Sequence, residues 1–186
     1  LMVADVTTAF LQSHPFPKGL VKFIKVLNPI TREWMYFRQK SSLYGEKGAP
    51  VRWEDTIAPW IESQGLSRGM NDRCIFHCQE KQLTVLLYVD DLLMSGPRQH
   101  VEWFYEQLAS RFLTKEPQIL ETGIVIDYLG MELTKADEGV YVSMTDYTQK
   151  IIEYMDMNEP GRNNSKVSYP FNPALGDNMG MGNNSV

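Results

Sequence analysis

The spacing of apolar and polar positions changes period several times along the chain, and each change marks an element. Leu1 to Asp5 is apolar up to its last residue and reads as a strand entering a turn at Thr7-Thr8. Val21 to Leu27 and Glu33 to Arg38 are β-prone runs joined by Asn28-Pro29-Ile30-Thr31, the pattern of a hairpin. After a loop over Tyr44 to Pro50, the residues Trp53, Ile57, Trp60 and Ile61 recur at helical spacing, with Pro59 predicting a kink and Gly65 an end. Cys74 to Cys78 and Leu83 to Val89 predict a second hairpin around Glu80-Lys81-Gln82, after which the chain turns at Asp90 into a further strand, Leu92 to Ser95. Because Leu83 to Val89 lacks polar alternation, it is expected in mid-sheet, covered on both faces.

Val101, Phe104, Leu108 and Phe112 then predict a helix from Arg98 to Phe112. Thr122 to Thr134 and Val140 to Ser143 predict a hairpin through Ala136-Asp137-Glu138-Gly139, followed by a helix from Thr145 to Met155 with the capping pattern Ser143-x-x-Asp146. From residue 158 to 186, Asn, Gly, Pro and Ser dominate, which predicts a flexible tail or linker behind a domain of residues 1–157. Antiparallel strand pairs separated by helices give an α+β class.

Composition narrows the picture. A chain of 186 residues, 43% hydrophobic, is long enough to bury one real core. Lys and Arg number 18 against 23 Asp and Glu, a net charge of -5, which as a whole-chain figure is no signature of a nucleic-acid binder. The two cysteines, Cys74 and Cys78, are spaced for neither a zinc knuckle nor a disulfide framework, and a reduced intracellular compartment is expected. There is no run of 18 apolar residues, and Leu1-Met2-Val3-Ala4 is not a signal peptide, so neither membrane insertion nor secretion is expected. The start in mid-strand raises the expectation of a portion preceding Leu1.

The candidate chemistry centres on Tyr88-Val89-Asp90-Asp91, where two carboxylates interrupt apolar runs. Asp is seldom buried unless it is paired or holds a metal. With Asp5 closing the first strand, a sheet that places these strands side by side brings three carboxylates together. Three carboxylates can hold two divalent ions for in-line phosphoryl transfer. Taken alone, the pair suits a solvated hairpin tip more than a catalytic site, since Asp favours turns.

Four blocks stand in order: Asp5-Val6-Thr7-Thr8-Ala9-Phe10-Leu11; Ser42-Leu43-Tyr44-Gly45-Glu46-Lys47-Gly48-Ala49-Pro50 with Trp53; Leu86-Leu87-Tyr88-Val89-Asp90-Asp91-Leu92-Leu93; and Tyr128-Leu129-Gly130-Met131-Glu132-Leu133. Together they resemble the reverse transcriptase of copia-type LTR retrotransposons, over residues 1–171. The resemblance implies a polymerase-palm-like antiparallel sheet with helices packed on one face, without the fingers. It implies RNA-directed DNA synthesis from a deoxynucleoside triphosphate onto a primer 3'-hydroxyl, along an RNA or DNA template. Two magnesium ions are implied as cofactors, with manganese the alternative. The implied partners are the rest of a Pol polyprotein, its fingers, RNase H and integrase, in the cytoplasm, a virus-like particle or the nucleus, and no membrane.

By the same resemblance Asp5, Asp90 and Asp91 are the catalytic metal ligands, Phe10, Tyr44, Gly45, Lys47 and Tyr88 meet the nucleotide, and Gly130 and Met131 meet the primer end. Phe10 is implied as the gate that excludes a ribose 2'-hydroxyl. From the residues alone, Phe10 reads as a core aromatic, Lys47 as a solvated lysine and Gly130-Met131 as a packed hairpin. The chain departs from the family at Glu46, where most members have Leu, at Gly48, where they have Gln, and at Arg52, displaced one position by Val51. A carboxylate at 46 repels a triphosphate unless it points away. The stretch Lys115 to Ile126 is also longer than the family's connection. Two alternatives stay open: an inactive retroelement fragment acting as a nucleic-acid-binding or interaction module, and a nucleotide cyclase on a similar sheet.

Overall fold

The computed structural model describes residues 1–158, and the tail expected from the sequence lies outside the described residues. In chain order the elements are β1 (Met2–Asp5), a single 3-10 turn (Ala9–Gln12), β2 (Lys22–Leu27), β3 (Trp34–Gln39), α1 (Ala49–Ser63), β4 (Ser67–Arg68), β5 (Ile75–Cys78), β6 (Leu83–Tyr88), β7 (Asp91–Ser95), α2 (Arg98–Arg111), β8 (Gln118–Ile119), β9 (Val125–Tyr128), β10 (Met131–Ala136), β11 (Gly139–Ser143) and α3 (Thr145–Asn158). The class is α+β, with every strand pairing antiparallel. Two compact units divide the chain at Ser143, and α3 is the described part of the second.

A six-stranded sheet of order β4-β5-β6-β7-β1-β8 builds the first unit. Directly opposed residues of neighbouring strands share a face. Phe76, Val85, Met94 and Met2 therefore make one row, and Leu87, Leu92 and Ala4 the next. Both rows are buried beneath Trp53, Ile57 and Ile61 of α1 and Val101, Phe104 and Leu108 of α2, the helical spacings read from the sequence. Each large side chain sealed there contributes roughly 1.5–3 kcal/mol. The opposite face of β1 and β7 carries Val3 and Leu93, which pack with Leu120, Ile126, Tyr128 and Leu133 in a smaller cluster. Asp5 and Asp91 belong to this second face, at its end.

Three expectations need correction. The helix α1 starts at Ala49, ahead of the first periodic apolar residue, because Pro50 fits a first turn whose N–H groups have no helical partner anyway; the helix then runs through Pro59. The run from Thr122 to Thr134 is not one strand. It breaks at Leu129-Gly130, both with positive φ (54° and 77°), and the resulting β9-β10-β11 is a three-stranded sheet rather than a hairpin. The strand β6 lies mid-sheet as expected but is sealed on one face only: Leu83, Val85 and Leu87 are buried, whereas Thr84 and Leu86 are half-buried and Tyr88 is exposed. The smaller cluster covers β1 and β7 and stops short of β6.

The strands β2 and β3 form a separate two-stranded ribbon outside both sheets. Cys74 and Cys78 are free thiols. No helix among the described residues is long and apolar enough to cross a membrane.

The base of the β6–β7 hairpin tolerates only a glycine at 96, where an added Cβ would sit 2.6 Å from the Gln82 carbonyl oxygen. Gly96→Ala is expected to lower stability by about 1–3 kcal/mol in urea titrations, as overpacking against backbone does; an unchanged midpoint would show that the two chain segments part without cost.

Candidate active site

The β6–β7 hairpin reverses in two residues. Tyr88 pairs with Asp91, leaving Val89 and Asp90 as the turn. Val89 has φ 56°, a left-handed conformation in which its branched Cβ crowds the backbone, at a cost of order 1–3 kcal/mol. Neighbouring elements hold it there from both sides. The Trp53 indole Nε1–H of α1 donates to the Val89 carbonyl at 2.6 Å, and the Val6 N–H beyond β1 donates to the Asp90 carbonyl at 2.8 Å. Trp53 is 2% exposed and meets Phe112 edge-on, with centroids 5.3 Å apart, so the indole has little freedom to turn away.

Asp5 and Asp91 are direct cross-strand partners, and Asp90 follows in the adjoining turn. Burial, then the charge of Asp90, then that of Asp5 push the Asp91 carboxyl above its ordinary range, while Lys115 pulls it back. The Lys115 ammonium donates to Asp5 Oδ2 at 2.9 Å, and its backbone N–H to the Asp5 carbonyl at 3.0 Å. That bond to Asp5, with the charges of Asp5, Asp91 and Asp90, raises the lysine's own pKa. Among the described residues no three His, Cys, Asp or Glu side chains are closed around a common point as a metal-holding group. The donor set nevertheless suits a hard divalent cation: carboxylate oxygens, mutually repelling, with one ammonium already resting on Asp5 where positive charge is favoured.

The family model for reverse transcriptase (RNA-dependent DNA polymerase) matches residues 2–170. The chain belongs to the reverse transcriptase family. Two retrovirus-related Pol polyproteins of Arabidopsis thaliana, from transposons RE2 and RE1, are each 26% identical to it, over 123 and 121 residues. Those matches take in 64% and 63% of this chain and 8% of each relative's length, so the chain spans about 8% of the polyproteins it matches. The copia-type resemblance of the four sequence blocks is thereby borne out.

The other site residues read from the reverse transcriptase resemblance fall in two groups. Phe10, in the 3-10 turn, stacks at a tilt on Tyr44 of the loop before α1, with centroids 4.8 Å apart. Gly45 and Lys47 are exposed on that loop. A cavity of about 620 Å³ beside the hairpin is lined by Pro50, Trp53, Tyr88 and Val89, with Arg68 and Arg73. Glu46, the charge least welcome near a nucleotide, is engaged elsewhere: hydrogen bonds from Gln39 and from the Leu43 N–H, and the Lys22 ammonium at 3.3 Å, hold its carboxyl below the usual range.

Gly130 is the second residue of the β9–β10 turn, where its N–H reaches Asp127 Oδ1 at 3.2 Å, and Met131 pairs across the strands with Tyr128. Tyr128 is buried, its hydroxyl pushed up to about 12 by burial first and the Asp91 charge second. This β9–β10 turn therefore lies on the carboxylate side of the sheet. Lys115 and the role of Tyr128 escaped the sequence reading. A lysine 110 positions from Asp5 leaves no local signal, and Tyr128 was legible only as part of its block.

Two measurements probe the site. Trp53→Phe removes the donor to the Val89 carbonyl and should cost about 0.5–1.5 kcal/mol in urea titration; no loss at all would remove the indole as a clamp. Because the Asp91 carboxyl is raised in the folded chain, its contribution to stability is full at low pH and lost as pH rises through the raised value. Asp91→Asn should therefore raise the metal-free Tm at neutral pH, with the gain fading below the carboxylate range; a pH-independent change would contradict this.

Proposed function

We propose that the chain is the palm-like catalytic portion of an RNA-directed DNA polymerase, spanning residues 1–157. It extends a primer 3'-hydroxyl with deoxynucleotides along an RNA or DNA template. The observation that carries this reading is the cross-strand pairing of Asp5 with Asp91, beside Asp90 in a turn clamped from two sides. Two divalent ions, magnesium with manganese as the alternative, supply when bound the positive charge that activates the attacking hydroxyl and steadies the leaving oxygen. Asp5, Asp90 and Asp91 would hold them. Until then Lys115 balances Asp5.

The other residues take supporting parts. Phe10, backed by Tyr44, offers a 2'-hydroxyl no hydrogen-bond partner and selects the deoxy sugar. Gly45 and Lys47 face the nucleotide from the loop, and Tyr88 from the hairpin. Gly130 and Met131 steady the primer end, a role supported by the nearness of Tyr128 to Asp91. Fingers, RNase H and integrase portions of a Pol polyprotein complete the enzyme inside the cell.

A second reading, a fragment that binds nucleic acid without extending it, is favoured by the ammonium resting on Asp5. Primer extension on a primed RNA template, by the polyprotein carrying Asp90→Asn with Asp91→Asn, should fall by about a hundredfold or more. Undiminished extension would overturn the mechanism. Calorimetry with template-primer and nucleotide should register magnesium binding by the unaltered chain, and its absence would favour the second reading.

A further inference from the structure

The overall charge of -5 conceals a strong segregation. Residues 18–40, which hold the ribbon, carry six basic side chains, Lys18, Lys22, Lys25, Arg32, Arg38 and Lys40, against one acid, Glu33. That is a local net charge of +5 in an acidic chain. The register of the ribbon then decides what its faces present. Phe23 opposes Arg38, Lys25 opposes Tyr36, and Leu27 opposes Trp34, so these six side chains share one face. All six are exposed, Phe23 at 65%, Tyr36 at 66% and Trp34 at 55%. The Lys25 ammonium lies 4.1 Å from the centre of the Trp34 ring and 5.9 Å from that of Tyr36.

Three aromatic rings on an exposed sheet face are not explained by the core, which they do not enter. Nor does charge alone explain them, since a merely solvated basic ribbon has no use for rings. Flat rings alternating with cations suit a ligand that offers unstacked planar bases and a regular line of negative charge. A duplex keeps its base faces covered. A single strand does not.

We infer that the exposed face of the β2–β3 ribbon binds single-stranded nucleic acid, bases stacking on Phe23, Trp34 and Tyr36 while Lys25 and Arg38 meet phosphates. The surface is distinct from the carboxylates, and the binding stands without catalysis. Only the identification of the bound strand as template rests on the polymerase reading.

The experiment uses the full chain and a fluorescein-labelled single-stranded RNA of mixed sequence, longer than the roughly 4–16 nucleotides that such surfaces occupy. Anisotropy titrations across a salt series should show binding that weakens with salt. Lys25→Gln with Arg38→Gln should lower the slope of log affinity against log salt by roughly 1.4, at about 0.7 for each single-strand phosphate no longer neutralised. Trp34→Ala should weaken binding severalfold, and Trp34→Phe, which keeps a ring, should restore most of it while diminishing the quenching of tryptophan emission on RNA addition.

Binding unmoved by all these variants overturns the inference. So does competition by inorganic polyphosphate as effective as unlabelled RNA, which would reduce the surface to charge alone. A change of oligomeric state in the Trp34 variants without loss of RNA binding also overturns it, in favour of an interface between copies of the chain. Met70→Ala, at an exposed position outside the ribbon and the carboxylate site, should leave RNA affinity intact. If the unaltered protein fails to extend a primer while ribbon binding persists, the polymerase reading falls and this one stands; the reverse result removes the ribbon and spares the carboxylates.

Discussion

Val89 keeps its crowded backbone conformation because a buried indole and a strand-end amide hold the turn on either side, and the geometry of the carboxylates depends on that hold. The indole belongs to Trp53, whose position follows from the burial of its helix face with Ile57 and Ile61 against the sheet. The amide belongs to Val6, fully buried next to the strand that ends in Asp5. Core packing thus sets the position of polar groups at the surface. A branched residue in a left-handed turn persists only where its surroundings over-determine it.

The carboxylate cluster shows the same tension electrostatically. Asp5 and Asp91 face each other across paired strands, and Asp91 is harder to ionise than a free carboxyl. From the segment after α2, Lys115 offsets part of this repulsion, held to Asp5 by its backbone N–H as well as its side chain. The arrangement is folded and partly charge-balanced while still favouring further positive charge.

Much of this was legible in the sequence where one physical cause governed the pattern. Helical spacing from Val101 to Phe112 located α2, and the apolar run before Asp90 located β6, because burial of one face dictated both. The start of α1 was missed because a proline in a first turn looks the same as a proline in a loop. The break at Leu129-Gly130 was missed because an apolar leucine occupies a position in which turns usually have a polar residue or glycine. The order of the acid-bearing blocks pointed to the site. Its counter-ion did not, since the pairing of Lys115 with Asp5 exists only once the chain has folded. Summed charge likewise erased the contrast between the ribbon and the rest.

The place of β1 in the sheet has a consequence for biosynthesis. Among the described residues its neighbours are β7 and β8, made some ninety and more residues later. The ribbon and the β5–β6 and β6–β7 hairpins close locally and can form as they leave the ribosome. Met2 to Asp5 gains both of these partner strands only once Ile119 has been added. Asp5 thus meets Asp91 only after the ribbon between them has been made, and the nascent chain passes through a stage in which it has a ribbon but no site.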